Sequence, residues 1–132
     1  MRKLRLSSSL TRRKLRVKTM ADVIYVDVDD GIKRVMNNSK LYAKLLTKFK
    51  DDNNLNEIDA AITAGDMGKA QSSTHTLKGL AANLSLKELF NQSLELETQI
   101  KACSVNPDQL TKVKAVYAQT ITEIDKVIAQ YA

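Results

Sequence analysis

The residues that could do chemistry centre on His75, the single histidine among 132 residues. Lys78 follows it by three positions and Gly79 by four, within residues 73–84 of an amphipathic helical pattern. At about 100° per residue, the apolar residues of this segment share one face, and His75 lies about 160° from them with Gly79 and Ala82 beside it. The pattern therefore predicts an imidazole that faces solvent, with a cation one turn away and no side chain at Gly79.

The composition narrows what such a histidine can do. A metal site needs several His, Cys or carboxylate ligands, and the chain has one His and one Cys, so we expect no metal and no bound cofactor. The isolated glycines form no phosphate-cradling loop, and no nucleophile is paired with the histidine as a catalytic triad requires. The remaining option is nucleophilic: a neutral imidazole nitrogen can accept a phosphoryl group and pass it on. Lys78 can then neutralise phosphoryl oxygens, and Gly79 leaves room for a partner to approach.

A carboxylate, Glu97, lies in the middle of the apolar stripe of the next predicted helix, about 20° from Leu86 on the helical wheel. A tight turn at Ser85 makes that helix antiparallel to the helix of His75, and at 1.5 Å per residue the two side chains lie at similar heights. A buried carboxylate needs a partner. Glu97 either accepts a hydrogen bond from His75, which would fix the tautomer of the imidazole, or pairs with Lys78 or another cation, or reaches water.

The rest of the chain predicts an all-α fold. One Pro, four Gly, no Trp and an abundance of helix-forming residues favour helices, and the length suits a single domain with a core of its own. Apolar residues recur at helical spacing between clear breaks. We therefore predict an antiparallel four-helix bundle with one or two short helices in front, preceded by an extended lead-in over residues 22–28 that packs on the helices.

Start and stop signals predict where the helices begin and end. The expected N-caps are Asp29 or Asp30 for a short first helix, Ser39 for the next, Asp66 for the helix of His75, and Asn106 with Pro107 for the last. Two capping boxes are expected, Asn54 with Glu57 and Ser85 with Glu88. Gly65 should end a helix in the left-handed conformation.

Charge divides the chain into a basic tail, residues 1–20, and a domain, residues 21–132. Eight of the 21 Lys and Arg residues and none of the 15 acids lie in the tail. The tail is either a disordered or extended segment upstream of Met20, an organelle transit peptide, or a basic arm for nucleic acid or anionic lipid. The tail has no aromatic residue to stack on bases, which disfavours nucleic acid. No apolar run is long enough to span a membrane, and a lone cysteine, Cys103, favours the reducing cytoplasm.

The segment His-Thr-Leu-Lys-Gly-Leu-Ala-Ala-Asn-Leu, residues 75–84, resembles the signature of histidine-containing phosphotransfer (HPt) domains. The resemblance extends to residues 41–49, to the Gly-Asp turn at residues 64–66 and to residues 94–97, so that it covers about residues 24–131. Many members of that family have glycine where this chain has Ser85. The capping box expected there offers a local reason for the serine.

The resemblance implies a four-helix bundle whose histidine exchanges a phosphoryl group with an aspartate of a response-regulator receiver domain. It implies that His75 is the phosphoacceptor, that Lys78 contacts the phosphoryl group, that Gly79 permits close approach, and that Glu97 matches a Glu or Gln that hydrogen-bonds the histidine in some members. We expect Gln71, Ser72, Ala82 and Lys87 to contribute to the docking surface.

The same resemblance implies a phosphoryl carrier with no kinase domain of its own. Its expected partners are receiver domains and a hybrid sensor histidine kinase, with Mg²⁺ on the receiver and no small-molecule substrate, and we expect a monomer. The competing hypothesis is a helical interaction module with a basic binding tail, in which His75 is incidental. A second rival is a fragment of a chemotaxis-type kinase. The sequence identifies neither the cognate partners nor the direction of phosphoryl flow.

Overall fold

The computed structural model describes residues 23–132, so the basic tail at residues 1–20 lies outside the described residues. The described chain forms six α-helices and no strand. They are α1 (Val28–Arg34), α2 (Ser39–Phe49), α3 (Asn54–Ala64), α4 (Met67–Asn83), α5 (Lys87–Lys101) and α6 (Pro107–Tyr131). The all-α prediction is confirmed. None of these helices is both long and apolar enough to cross a membrane.

The helices α2 to α6 make a four-sided antiparallel bundle, because α2 and α3 follow one another along a single side. The hydroxyl of Tyr42 in α2 donates to the carbonyl oxygen of Leu84, at the end of α4, at 2.6 Å. Glu57 in α3 pairs at 3.3 Å with Lys69, near the start of α4. The α2–α3 side therefore runs antiparallel to α4. The other close pairs are α4 with α5, α5 with α6, and α6 with α2.

The core lies along the axis of this bundle and takes side chains from each of the five longer helices. On α4 the buried positions include Leu77 and Ala81, on the face opposite His75, as the helical period predicts. Burying one such leucine stabilises the fold by about 1.5–3 kcal/mol. The largest fully buried apolar side chains are Tyr42, Leu46, Ile58, Leu77, Leu86, Leu89, Leu96, Ile100, Val113 and Ile124.

The predicted ends of the helix hairpin around Asp66 are confirmed. Gly65 ends α3 with φ of 76°, the left-handed conformation that costs a glycine little. The Asp66 carboxylate then accepts a hydrogen bond from the backbone N–H of Lys69 at 3.1 Å and caps α4. At the last helix, Asn106 caps α6 and Pro107 takes its first position, as predicted. These signals work because they depend on residues adjacent in sequence.

The predicted caps of the first three helices are wrong. Asp27, and neither Asp29 nor Asp30, caps α1. The cap of α2 is Asn38 rather than Ser39, since its side-chain oxygen accepts the backbone N–H of Leu41 at 3.0 Å and leaves Ser39 with a helical backbone.

The predicted capping box of Asn54 with Glu57 is also wrong, because α3 begins without a side-chain cap hydrogen bond and its N-cap is Asn53. The carboxylate of Asp52 accepts both the backbone N–H and the amide group of Asn54. That local turn uses the groups that the capping box would have needed.

The predicted capping box of Ser85 with Glu88 is wrong for a tertiary reason. Ser85 has φ of 58°, and Leu86 is the N-cap of α5 without a side-chain hydrogen bond. The Ser85 hydroxyl donates to the Asp30 carboxylate at 2.5 Å, and the backbone N–H of Glu88 donates to the carbonyl oxygen of Ile24 at 3.1 Å. The lead-in, which is non-helical over residues 23–27 as predicted, thus satisfies the start of α5.

Candidate functional site

The helix α4 presents His75 to solvent on a rigid support. Its opposite face is anchored by Ala70, Leu77 and Ala81, which are fully buried. The buried hydroxyl of Thr74 bonds to the carbonyl oxygen of Ala70 at 2.7 Å, so it is satisfied within the helix. The side chain of His75 is 70% exposed. The structure thus confirms the solvent-facing histidine predicted from the period.

The carboxylate of Glu97, on α5, lies against the base of this histidine and is only 2% exposed. One oxygen, Oε2, is 3.2 Å from Nδ1 of His75, and the other, Oε1, is 2.7 Å from Nζ of Lys78. Two arrangements that the sequence left as alternatives therefore occur together. Glu97 bridges the imidazole and the lysine with separate oxygens.

A second lysine of the site, Lys101, was not predicted from the sequence. Its Nζ lies 3.7 Å from Oε2 of Glu97, the same oxygen that contacts His75. Lys101 is one turn beyond Glu97 on α5, and residues four apart on a helix are neighbours. That spacing was a signal in the sequence, but it becomes informative only once Glu97 is known to face His75.

The pKa of the Glu97 carboxyl is lowered. Burial acts to raise this pKa, but the hydrogen bond and charge of Lys78, the contact with His75 and the charge of Lys101 together outweigh it. The carboxylate is therefore ionised near neutral pH and only accepts hydrogen bonds. Because the acceptor faces Nδ1, we assign the hydrogen of the neutral imidazole to Nδ1, which leaves the lone pair on Nε2. Nε2 of His75 can therefore act as a nucleophile.

An open cavity of about 550 Å³ lies beside His75 and is lined in part by Glu97 and Lys101. Gly68, Gln71, Ser72 and Thr76 complete its lining. The predicted docking residues Gln71 and Ser72 are thus exposed next to the imidazole. Lys78 is absent from the lining, since its amine turns toward the other oxygen of Glu97.

The structure does not bring the other two predicted docking residues to this cavity. Ala82 and Lys87 line a smaller depression at the C-terminal end of α4, together with Arg34 and Phe90. Lys87 also contacts the carboxylate of Asp30 at 3.4 Å. Any partner that contacts both the His75 cavity and this depression must span the exposed face of α4.

Gly79 lies between these two regions, and its surroundings are empty. Apart from its two neighbours in sequence and the nearby backbone of its own helix, a Cβ added at Gly79 would meet no atom of the described chain within 4 Å. Glycine inside a helix is less favourable than alanine by about 1 kcal/mol. No packing contact explains this glycine, so the reason for it lies outside the described fold.

The family model of the Hpt domain matches residues 44–129, which run from α2 to α6 and include His75 and Glu97. The chain belongs to the Hpt domain family. Neither curated proteins nor solved structures provide a match. Membership of the family implies a phosphotransfer role in two-component signalling. Hpt domains are phosphocarrier modules rather than catalytic kinases, and they interact with receiver domains and kinases.

Proposed function

We propose that this Hpt domain relays a phosphoryl group between the aspartates of receiver domains, with Nε2 of His75 as the acceptor. The observation that carries the proposal is the contact of Nδ1 with the ionised, buried Glu97 while the rest of the ring is exposed. A receiver can approach only from the exposed side. The carboxylate holds the opposite nitrogen in its protonated form, so the reactive nitrogen is the one that faces the partner.

The proposed step is a displacement at phosphorus. The lone pair of Nε2 attacks the phosphorus atom of the aspartyl phosphate, an N–P bond forms, and the P–O bond to the receiver aspartate breaks to release a carboxylate. Nδ1 of His75 keeps its hydrogen, so the ring gains a positive charge, which the Glu97 carboxylate stabilises. The same steps in reverse transfer the group to a second receiver. Little beyond positioning is needed.

Other residues on α4 and at the start of α5 assist this step. Lys78 holds Glu97 in place and adds a positive charge beside the ring. Gly79 leaves the surface open for the receiver loop that carries the aspartate. Gln71 and Ser72 contact the partner beside His75, and Ala82, near the end of α4, and Lys87, at the start of α5, contact it farther away. The Mg²⁺ of the reaction belongs to the receiver, and this chain contributes no cofactor.

The partners we propose are response-regulator receivers and a hybrid sensor histidine kinase. This chain acts as a carrier among them, because the residues of the site provide a nucleophile and no group that binds ATP. We place the reaction in the cytoplasm, where a lone exposed thiol such as Cys103 stays reduced.

The test is the substitution His75→Gln, with a phosphorylated receiver domain as donor. The wild-type protein should acquire an acid-labile, base-stable phosphate, and the variant should acquire none, because glutamine lacks a nucleophilic nitrogen. Circular dichroism of the variant should be unchanged, since His75 is exposed. Gln130→Ala, at an exposed polar side chain of α6, is the matched control and should accept phosphate normally. Acid-labile phosphate on the His75→Gln variant would refute the assignment.

A further inference from the structure

We infer that Lys101 is the lysine that contacts the phosphoryl oxygens when the group is on His75, an inference that rests on the proposed function. Three observations lead to it: which oxygen of Glu97 each lysine holds, how exposed each lysine is, and which lysine lines the cavity beside the imidazole. All three separate Lys101 from Lys78, although the sequence pattern favoured Lys78 as the phosphoryl contact.

Lys78 is committed to the carboxylate. Its Nζ is 2.7 Å from Oε1 of Glu97, and its side chain is 20% exposed. Moving this amine to a phosphoryl group would leave a nearly buried carboxylate oxygen without its closest cation, and an unpaired buried charge is unfavourable. Lys78 also does not line the cavity beside His75. Its role is therefore to position Glu97, and it acts on the imidazole through that carboxylate.

Lys101 is free to move. Its side chain is 57% exposed, and its contact with Glu97 is longer, at 3.7 Å. Glu97 keeps its closest cation, Lys78 at 2.7 Å, when Lys101 turns away, so moving Lys101 to a phosphoryl group leaves no buried charge without a partner. The long aliphatic stem of lysine lets the amine swing, and a phosphoryl group presents more negative charge than the carboxylate.

The starting position of Lys101 is also suitable. It shares Oε2 of Glu97 with Nδ1 of His75, so its amine already lies beside the imidazole. The cluster consists of the imidazole of His75 and three charged groups, Lys78, Glu97 and Lys101, and of the two lysines only Lys101 lines the cavity. A phosphoryl group on Nε2 would add about two negative charges there, and Lys101 is the available cation. The two lysines thus have separate roles: Lys78 positions Glu97, and Lys101 neutralises the phosphoryl group.

The experiment uses the full chain phosphorylated with phosphoramidate, a small donor that needs no docking surface. The pKa of the phosphoryl group on His75 is then measured by ³¹P NMR titration. Lys101→Met keeps the aliphatic stem and removes the charge, so it should raise this pKa by about one unit, because a nearby cation favours the dianion. Lys101→Arg should restore the wild-type value. Lys78→Met should shift this pKa less than Lys101→Met, although it should slow phosphorylation by releasing Glu97.

Lys126→Met is the control, since Lys126 is a lysine of similar exposure, 69%, that also pairs with a glutamate of its own helix, Glu123, away from His75. It should leave the pKa unchanged. If the wild-type protein accepts phosphate on His75 but Lys101→Met titrates like the wild type, or if Lys78→Met produces the larger shift, the role of Lys101 is refuted while the proposed function stands. If the wild-type protein acquires no phosphate on His75, the proposed function fails and the role of Lys101 fails with it.

Discussion

Two carboxylates of this fold, Glu97 and Asp30, each gather three donors, yet they do different things. Glu97 is buried in the bundle, and one of its partners is an exposed imidazole. Asp30 lies near the surface, where a single oxygen, Oδ2, takes all three contacts. The donors around Asp30 come from its own helix and from the region where α4 turns into α5, and are Arg34, Ser85 and Lys87.

The difference shows what turns a carboxylate into part of a reactive site. The contacts of Asp30 join α1 to the turn between α4 and α5, so they fasten one part of the chain to another. The contacts of Glu97 include His75, whose exposed nitrogen can react. Hydrogen bonds from Ser85 and Arg34 hold the pKa of Asp30 well below its usual range. A lowered pKa is therefore common to both carboxyls, and only the surroundings of Glu97 offer a nucleophile.

The largest expected effect comes from removing each carboxylate in turn. Glu97→Ala should lower the rate at which His75 accepts a phosphoryl group by about 10–100-fold, the size of the loss when a metal-binding histidine loses the group that holds its second nitrogen. Asp30→Ala should leave this rate unchanged. Both rates can be measured with phosphoramidate as donor, which removes any contribution from docking. Equal losses in the two variants would show that the comparison between the carboxylates is wrong.

The next effect is on the pH dependence of stability. Both carboxyls have a lower pKa in the folded state, so each stabilises the fold fully above its unfolded pKa of about 4, and this contribution disappears as the pH falls through the folded pKa. The free energy of unfolding should therefore fall as the pH drops below about 4.5. Glu97→Gln and Asp30→Asn should each flatten that decline, as measured by urea unfolding at a series of pH values.

A control for this prediction is Gln130→Ala, at an exposed side chain of α6 that does not titrate. This variant should keep the wild-type slope. A wild-type slope in Glu97→Gln as well would mean that the contacts of Glu97 with Lys78 and His75 do not persist in solution.

The smallest expected effect is on the stability of Ser85 variants. Ser85 lies in the turn between α4 and α5 and contacts Asp30 of α1. Its backbone is left-handed, with φ of 58°, and its hydroxyl donates to Asp30. Ser85→Ala should lower the free energy of unfolding by about 1 kcal/mol, because it loses the hydrogen bond and keeps the backbone strain. Ser85→Gly loses the same hydrogen bond but relieves about 1 kcal/mol of strain, so its stability should be close to that of the wild type.

Urea unfolding distinguishes these two Ser85 variants. If Ser85→Gly is as unstable as Ser85→Ala, the backbone conformation at this turn carries no cost. A Ser85→Gly variant that is more stable than Ser85→Ala would instead show that the hydrogen bond to Asp30 offsets the strain of a left-handed serine in the wild-type protein.

Much of the fold was predictable because its signals are local or periodic. The helical period predicted the exposed face of His75 and the buried faces of Leu77 and Ala81, and the structure confirms them. Caps formed by adjacent residues, such as Asp66, were predicted correctly. The capping box of Ser85 with Glu88 was predicted wrongly. The carbonyl oxygen of Ile24, 64 positions earlier in the chain, accepts the backbone N–H of Glu88 that the box would have used. Local rules cannot include a competitor of that kind.

The candidate site was predictable in part. The wheel of α5 placed Glu97 among apolar residues, and this was enough to suggest a partner across the bundle. The wheel did not decide whether Glu97 contacts His75 or Lys78, because that choice depends on how α5 is rotated about its axis against α4. The structure shows both contacts at once. It also brings in Lys101, which periodicity alone does not distinguish from other exposed lysines.

By itself, then, the sequence determined the helices, the face on which His75 lies and the resemblance to a phosphotransfer family, since these depend on residue types and on spacing along one helix. Only the tertiary structure decided how Glu97 divides its two oxygens among His75, Lys78 and Lys101, and which lysine opens onto the cavity beside the imidazole. The physical reason is that hydrogen bonds are sensitive to fractions of an ångström between helices, whereas amphipathic patterns record only which side of a helix faces the core.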